Sequence, residues 1–185
     1  MKSALLVLCP AEPGWLPADA RGFEQILESI QLIGEPLSGD HEYLAGDRFL
    51  DLIAFMGCSP DINLHPGENQ QQFCYIRLLS NPQSTEFHSC EHTHAPRCPH
   101  CSAAVADWRK RIGQRPDMSD EACWRCDACG QISAPWRYNW RKSAGFGRCF
   151  IEINNVYPRE ALPQQQLLDT LNSHYGVKWD YFYQY

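Results

Sequence analysis

The chain has 185 residues, of which 44% are hydrophobic and 21% charged, with a formal net charge of −6 and ten cysteines. That length and apolar fraction suit one ordinary globular domain carrying a small module, with enough residues for a real core. No apolar run approaches the ~20 residues of a membrane span, which excludes an integral helical membrane protein.

Met1 to Cys9 superficially resembles a lipoprotein export signal. Its apolar core is too short for one and lacks the small residues expected before a cleavage point, so residues 4–9 read as a buried strand and the protein as cytoplasmic. Leu16-Pro17 then opens a helix with Phe23, Ile26, Leu27, Ile30 and Ile33 at helical spacing, with Gly34 as its end and Pro36 as a block to its resumption. Residues 41–57 fit a helix through Phe49, Leu52, Ile53 and Met56, but their aromatic and apolar density favours a strand. Pro60, Asn63, Pro66, Gly67 and Asn69 make 58–72 a loop.

Residues 73–79 alternate as a strand, with Cys74, Ile76 and Leu78 on one face. Residues 149–156 do the same through Cys149, Ile151 and Ile153. Leu162-Pro163 opens a second helix striped by Leu167, Leu168, Leu171 and Tyr175 and stopped by Gly176; Trp179, Tyr181, Tyr183 and Tyr185 alternate in a last strand over 177–185. The resulting order, β-α-β-β-α-β, predicts an α+β, ferredoxin-like sheet domain formed by residues 1–96 plus 149–185. Residues 97–148 replace the turn between its middle strands.

That insertion contains Cys98-Pro99-His100-Cys101 and Cys126-Asp127-Ala128-Cys129-Gly130. Two thiolates two residues apart on a tight turn reach one ion, and two such turns complete the tetrahedral shell that Zn2+ accepts at about 2.3 Å per sulfur. Pro99 pre-sets the first turn, and Gly130 suits a positive φ after the second. On these four cysteines and Gly130 the segment resembles zinc-ribbon modules, a resemblance covering about a quarter of the chain. It implies one structural Zn2+ bound by Cys98, Cys101, Cys126 and Cys129.

Three other readings of the thiols are open at this level. Disulfides conflict with a reducing compartment. Iron in a rubredoxin-like site uses the same four-sulfur geometry. Cys123, Cys126 and Cys129 overlap in register, so the second pair could be Cys123/Cys126, although the glycine after Cys129 favours Cys126/Cys129. His100, inside the first turn, is read as a spectator.

His88, Cys90, His92 and His94 share one face if extended and could bind a second metal or hold an open catalytic position. Alternate residues on a strand stand roughly 6–7 Å apart, however, which disfavours convergence on one ion. Cys58, with His65 or His41 as base, is a weaker nucleophile candidate, and a buried structural thiol is the simpler account.

Charge is divided unevenly. Residues 97–148 hold ten Lys/Arg against five Asp/Glu, a net +5, and the remainder holds six against seventeen, a net −11. Trp136-Arg137-Tyr138-Asn139-Trp140-Arg141-Lys142 in a strand would place three aromatics on one face and Arg137, Asn139 and Arg141 on the other. Such a surface can stack single-stranded nucleic acid. It can equally pack against the larger domain, because a ribbon has little core of its own. The function expected from these features is a non-catalytic zinc protein whose ribbon engages another macromolecule. A protein partner comes first and single-stranded nucleic acid, through Arg137, Trp140 and Arg141, second. A metal-dependent enzyme or rubredoxin-like electron carrier is third.

Overall fold

The computed structural model describes residues 4–56, 62–67, 72–113, 123–157 and 159–185; Cys58 and most of the expected 58–72 loop lie outside them. From the N-terminus come β1 (Ala4–Pro10), α1 (Ala20–Ser29), β2 (Ile33–Pro36), β3 (Glu42–Ala45), α2 (Phe49–Leu52), β4 (Ile53–Phe55) and β5 (Tyr75–Ser80). An excursion follows, built from β6 (Glu86–Ser89), α3 (Trp108–Gly113), β7 (Trp124–Arg125), β8 (Ile132–Ser133), a 3-10 turn at Pro135–Arg137 and β9 (Ala144–Gly147). The chain returns through β10 (Cys149–Val156), β11 (Ala161–Pro163), α4 (Gln165–Tyr175) and β12 (Trp179–Gln184). The class is α+β, with one six-stranded antiparallel sheet in the order β12-β1-β10-β5-β3-β2. Among the described residues no helix is long and apolar enough to cross a membrane.

The four strands expected from the sequence are adjacent in that sheet, and β3 and β2 extend it beyond β5. Leu6, Leu8, Ile76, Ile151 and Ile153 face one side, where Phe23 and Leu27 of α1 and Leu167 and Leu171 of α4 bury them. Val7, Cys9, Phe150 and Phe182 form a smaller cluster on the opposite side. Burial on both faces explains why residues 4–9 are apolar without alternation. The β6–β9 ribbon covers this second side at close range. A Cβ on Gly145 would meet the Phe182 ring at 2.3 Å, and His88 stacks on Phe150 with ring centroids 3.9 Å apart.

The same side carries a polar network. Arg77 donates to Glu42 and lies 3.8 Å from Glu152, a buried carboxyl. Burial raises the Glu152 pKa, against the lowering influence of His88 and Arg77.

Several boundaries differ from expectation. Helix α1 begins at Ala20 rather than Pro17, because Asp19 accepts from the N–H groups of Arg21 and Gly22 and caps it. It ends before Ile30. Gln31 takes the left-handed conformation (φ 59°), Gln31 N–H donates to Glu28 O and Leu32 N–H donates to Leu27 O. This is a Schellman closure with glutamine in the usual glycine position, so Gly34 and Pro36 lie in β2 instead of stopping the helix. Leu162-Pro163 pairs as β11 with β4, and α4 starts only at Gln165. Gly176 ends α4 in the left-handed region (φ 65°), as its position implied. Within the stretch expected to be one strand, Glu42–Ala45 and Ile53–Phe55 are strand and Phe49–Leu52 forms one helical turn between them.

Ile151, fully buried in the central strand, should cost about 2–5 kcal/mol when truncated to Ala. Ile132→Ala, at a position 54% exposed, should stay within about 0.5 kcal/mol of the parent. Urea unfolding of both variants checks the pair.

Candidate metal centre

Two turns of matching construction hold the four cysteines. In the first, Cys98 N–H donates to Ala103 O and Ser102 N–H donates back to Cys98 O, both at 2.9 Å. In the second, Cys126 N–H donates to Gln131 O at 2.9 Å and Gly130 N–H donates to Cys126 O at 2.8 Å. The residue after each Cys-x-x-Cys is left-handed, with φ of 60° at Ser102 and 73° at Gly130. Only the glycine advertises this in sequence. The β7–β8 hairpin delivers the second turn, and bridges from Arg97 to Ala104 and Asn139 anchor the first.

One ligand atom from each of Cys98, Cys101, Cys126 and Cys129 lies within 4.8 Å of all the others. Cys98 and Cys129 sulfurs are 3.8 Å apart, and those of Cys101 and Cys126 are 3.6 Å apart. A tetrahedron with metal–sulfur bonds of about 2.3 Å has edges of about 3.8 Å, whereas a disulfide requires about 2.05 Å. The cysteines are free thiols. Cys123 is exposed and outside the cluster, so the second pair is Cys126/Cys129.

Backbone amides converge on the sulfurs. His100 N–H points to Cys98 Sγ at 3.4 Å, and the amides of Cys129 and Ala128 hold the Cys126 pKa down to about 6 despite burial. The Ala103 amide acts in the same direction on Cys101, but burial and the sulfurs of Cys129, Cys126 and Cys98 push that thiol up to about 12. The cluster therefore stabilises one thiolate readily and resists the next, an opposition that a divalent cation removes. His100 lies outside the sulfur shell, its Nε2 2.9 Å from Ser133 Oγ.

Cys98 and Cys126 are buried in a second hydrophobic core with Val105, Trp108, Trp124, Tyr138, Trp140 and Phe146. This corrects the expectation that the ribbon has little core of its own. Tyr138 OH donates to Trp124 O and Trp140 Nε1 donates to Pro135 O. Residues 136–142 are not a strand, because Pro135 opens a 3-10 turn and Arg141 and Lys142 are left-handed. The expected alternation survives in part: Tyr138 and Trp140 point inward, while Arg137, Asn139 and Arg141 are exposed. Trp140, only 5% exposed, offers no face for a base.

The histidine-rich segment does not converge. Strand β6 ends at Ser89, and a turn follows in which Thr93 N–H donates to Cys90 O. His88 reaches Glu86 at 3.1 Å, Cys90 accepts from Thr93 Oγ1, His92 stacks on Tyr185, and His94 lies 3.4 Å from Arg159. Among the described residues, the group of three or more His, Cys, Asp or Glu side chains close enough to share an ion is the four-cysteine cluster. Cys74 and Cys149 are interior thiols pushed up to about 12 by burial, a state that suppresses reactivity.

Comparison with protein-family models, curated proteins and solved structures returns no match. The four cysteines could hold a metal ion, and their chemistry is the whole of the functional signal at this centre.

Cys123→Ser should leave bound metal unchanged and Cys126→Ser should abolish it, by elemental analysis of purified protein. Because bound thiols must be deprotonated, metal occupancy should fall as pH drops and metal binding near pH 7 should release protons. A chelator titration at several pH values reads both effects.

Proposed function

We propose that Cys98, Cys101, Cys126 and Cys129 hold one structural Zn2+, and that residues 97–148 form a zinc-ribbon module with which a non-catalytic cytoplasmic protein engages another protein. The observation that carries the metal reading is the set of sulfur separations near a tetrahedral edge. Four thiolates also fill the shell, leaving no coordination position for a substrate or water, which supports a structural role for the ion. Iron suits the same sulfurs and is the second choice. The acidic balance outside the ribbon and the burial of Trp140 favour a protein partner over a polynucleotide lying on the 136–142 stripe.

The division into body and module is supported by two separate cores, although Phe87, outside the 97–148 boundary, packs on the ribbon core. For the body we infer a ferredoxin-like plan. The antiparallel order β12-β1-β10-β5 is that of a split β-α-β pair, with α1 and α4 in the two crossovers. Strands β2, β3 and β4 and helix α2 are additions within the first crossover.

Purified protein should contain one zinc per chain and be colourless; a visible thiolate-to-iron absorption would replace zinc with iron and reopen an electron-carrier role. Cys98→Ser and Cys129→Ser should each erase the near-UV dichroism of the ribbon tryptophans while preserving the far-UV signal of the sheet. Loss of the whole fold would contradict the two-part division.

A further inference from the structure

The 136–142 segment does not close completely on the sheet. A cavity of about 240 Å3 remains where it faces the end of β1, lined in part by Pro10, Pro13, Trp136, Asn139 and Arg141. That volume is below the roughly 300–1,000 Å3 of drug-sized sites and suits one inserted side chain. Pro10 and Pro13 are buried and Trp136 is half-buried, so the cavity has an apolar side. Asp180, the carboxylate of its lining, is already paired with Lys142.

Exposed arginines border this cavity. Arg97 and Asn139 lie directly opposite each other and exchange both backbone hydrogen bonds at 2.9 Å, which puts their side chains on one face. Tyr138 and Trp140 turn inward, so Arg137 and Arg141 flank Asn139 on the outward side, and all four polar residues are exposed. The turn that projects Arg141 is fixed from both sides. Asn139 Oδ1 accepts from Arg141 N–H, and Lys142 O accepts from Tyr183 N–H, each at 2.9 Å. Arg141 and Lys142 are consecutive left-handed residues, with φ of 52° and 56°. Side-chain-bearing residues keep that conformation where the surroundings enforce it, and such positions cluster at binding sites.

Other cations of the ribbon are used internally. Arg109 lies over the Trp108 ring, Arg111 pairs with Asp107 and Asp127, and Arg148 donates to the carbonyls of Asn81 and Pro82. Among the described residues Arg97, Arg137 and Arg141 form no ion pair, and the side-chain hydrogen bond they make is a long one, from Arg97 to Ser102 O at 3.5 Å. Three guanidiniums without a counter-charge therefore frame a cavity with one apolar side.

We propose that this corner of the ribbon docks an acidic segment of a partner protein: one apolar side chain of the segment enters the cavity beside Trp136, and its carboxylates pair with Arg97, Arg137 and Arg141. Guanidinium and carboxylate match in charge and in the geometry of a two-bond fork. Tryptophan and arginine are also the residues on which interface affinity concentrates, around pockets that exclude water. The rest of the chain carries a net −11, so a long polyanion is repelled beyond the arginines, whereas a short acidic segment ends within them. This inference rests on the reading of the ribbon as a protein-binding module and names the chemistry of the partner.

The test selects random twelve-residue peptides displayed on phage against the full chain with one metal bound, and in parallel against chelated protein. Enriched peptides should carry several Asp or Glu around one large apolar residue. A synthetic peptide of the enriched sequence should bind about tenfold more weakly to Arg137→Ala and to Arg141→Gln, with a flatter salt dependence. Trp136→Leu should erase the preference for the apolar residue over alanine at its place in the peptide. Arg21→Ala, on α1 across the sheet, should match the parent. Peptides that need the metal but bind both arginine variants as well as the parent, with unchanged far-UV dichroism, would overturn this site and leave the protein-binding reading intact. Enrichment of no metal-dependent peptide would overturn both. A ten-residue oligothymidylate that binds more tightly than the peptide, and loses affinity in the same two variants, would reassign the face to nucleic acid and overturn the acidic segment.

Discussion

Four sulfurs brought within 4.8 Å of one another impose the constraint on which the excursion from the sheet depends. Ionising one is easy, because amides from Ala128 and Cys129 already point at Cys126. Ionising all four without a cation is not, because each new thiolate meets the others at short range. The fold nevertheless builds two turns with the same backbone hydrogen bonds to bring these groups together. Cys98 and Cys126 are also part of the aromatic core around Trp108, Trp124 and Trp140. The state of the sulfurs is therefore coupled to the packing of that core, and through Phe87 and Phe146 to the β6–β9 ribbon on the sheet.

The sheet accepts this ribbon because its two faces are built differently. Helices cover one with long aliphatic side chains. The other offers Val7, Phe150 and Phe182, and Gly145 lets the backbone of β9 approach the Phe182 ring. Beyond the ribbon this face becomes polar, with Glu152 beneath Arg77 and His88.

What could be read in the sequence was what short-range chemistry determines. The metal-type spacing of the cysteines, the glycine that ends α4 and the unalternating apolar run of β1 each report a local requirement, and each is found in place. The end of α1 was not legible in this way. Gln31 takes a glycine's conformation in a tertiary setting: its carbonyl accepts from Arg48 N–H, and Gly46 approaches so closely that a Cβ there would meet Gln31 O at 2.3 Å. That contact joins residues remote in sequence, and no pattern around position 31 reveals it. Similarly, Pro163 resembled a helix entry, but pairing with Ile53 made it strand. In the ribbon the alternation of Tyr138 and Trp140 with Arg137 and Arg141 was visible, whereas the surface those rings pack against, contributed by Val105, Trp108 and Trp124, was not.

Strands β5 and β10 are hydrogen-bonded neighbours, and Ser80 lies opposite Cys149 in their register. The 68 residues between those two positions therefore leave and re-enter the sheet at one point, as a hairpin tip would. A segment fastened in this way puts little tension on its host whatever its length, since closure entropy grows only logarithmically with the number of residues enclosed. Such an attachment is a socket: in evolution the sheet could keep its pairing while the inserted piece lengthened, shrank or was exchanged for another with equally close ends.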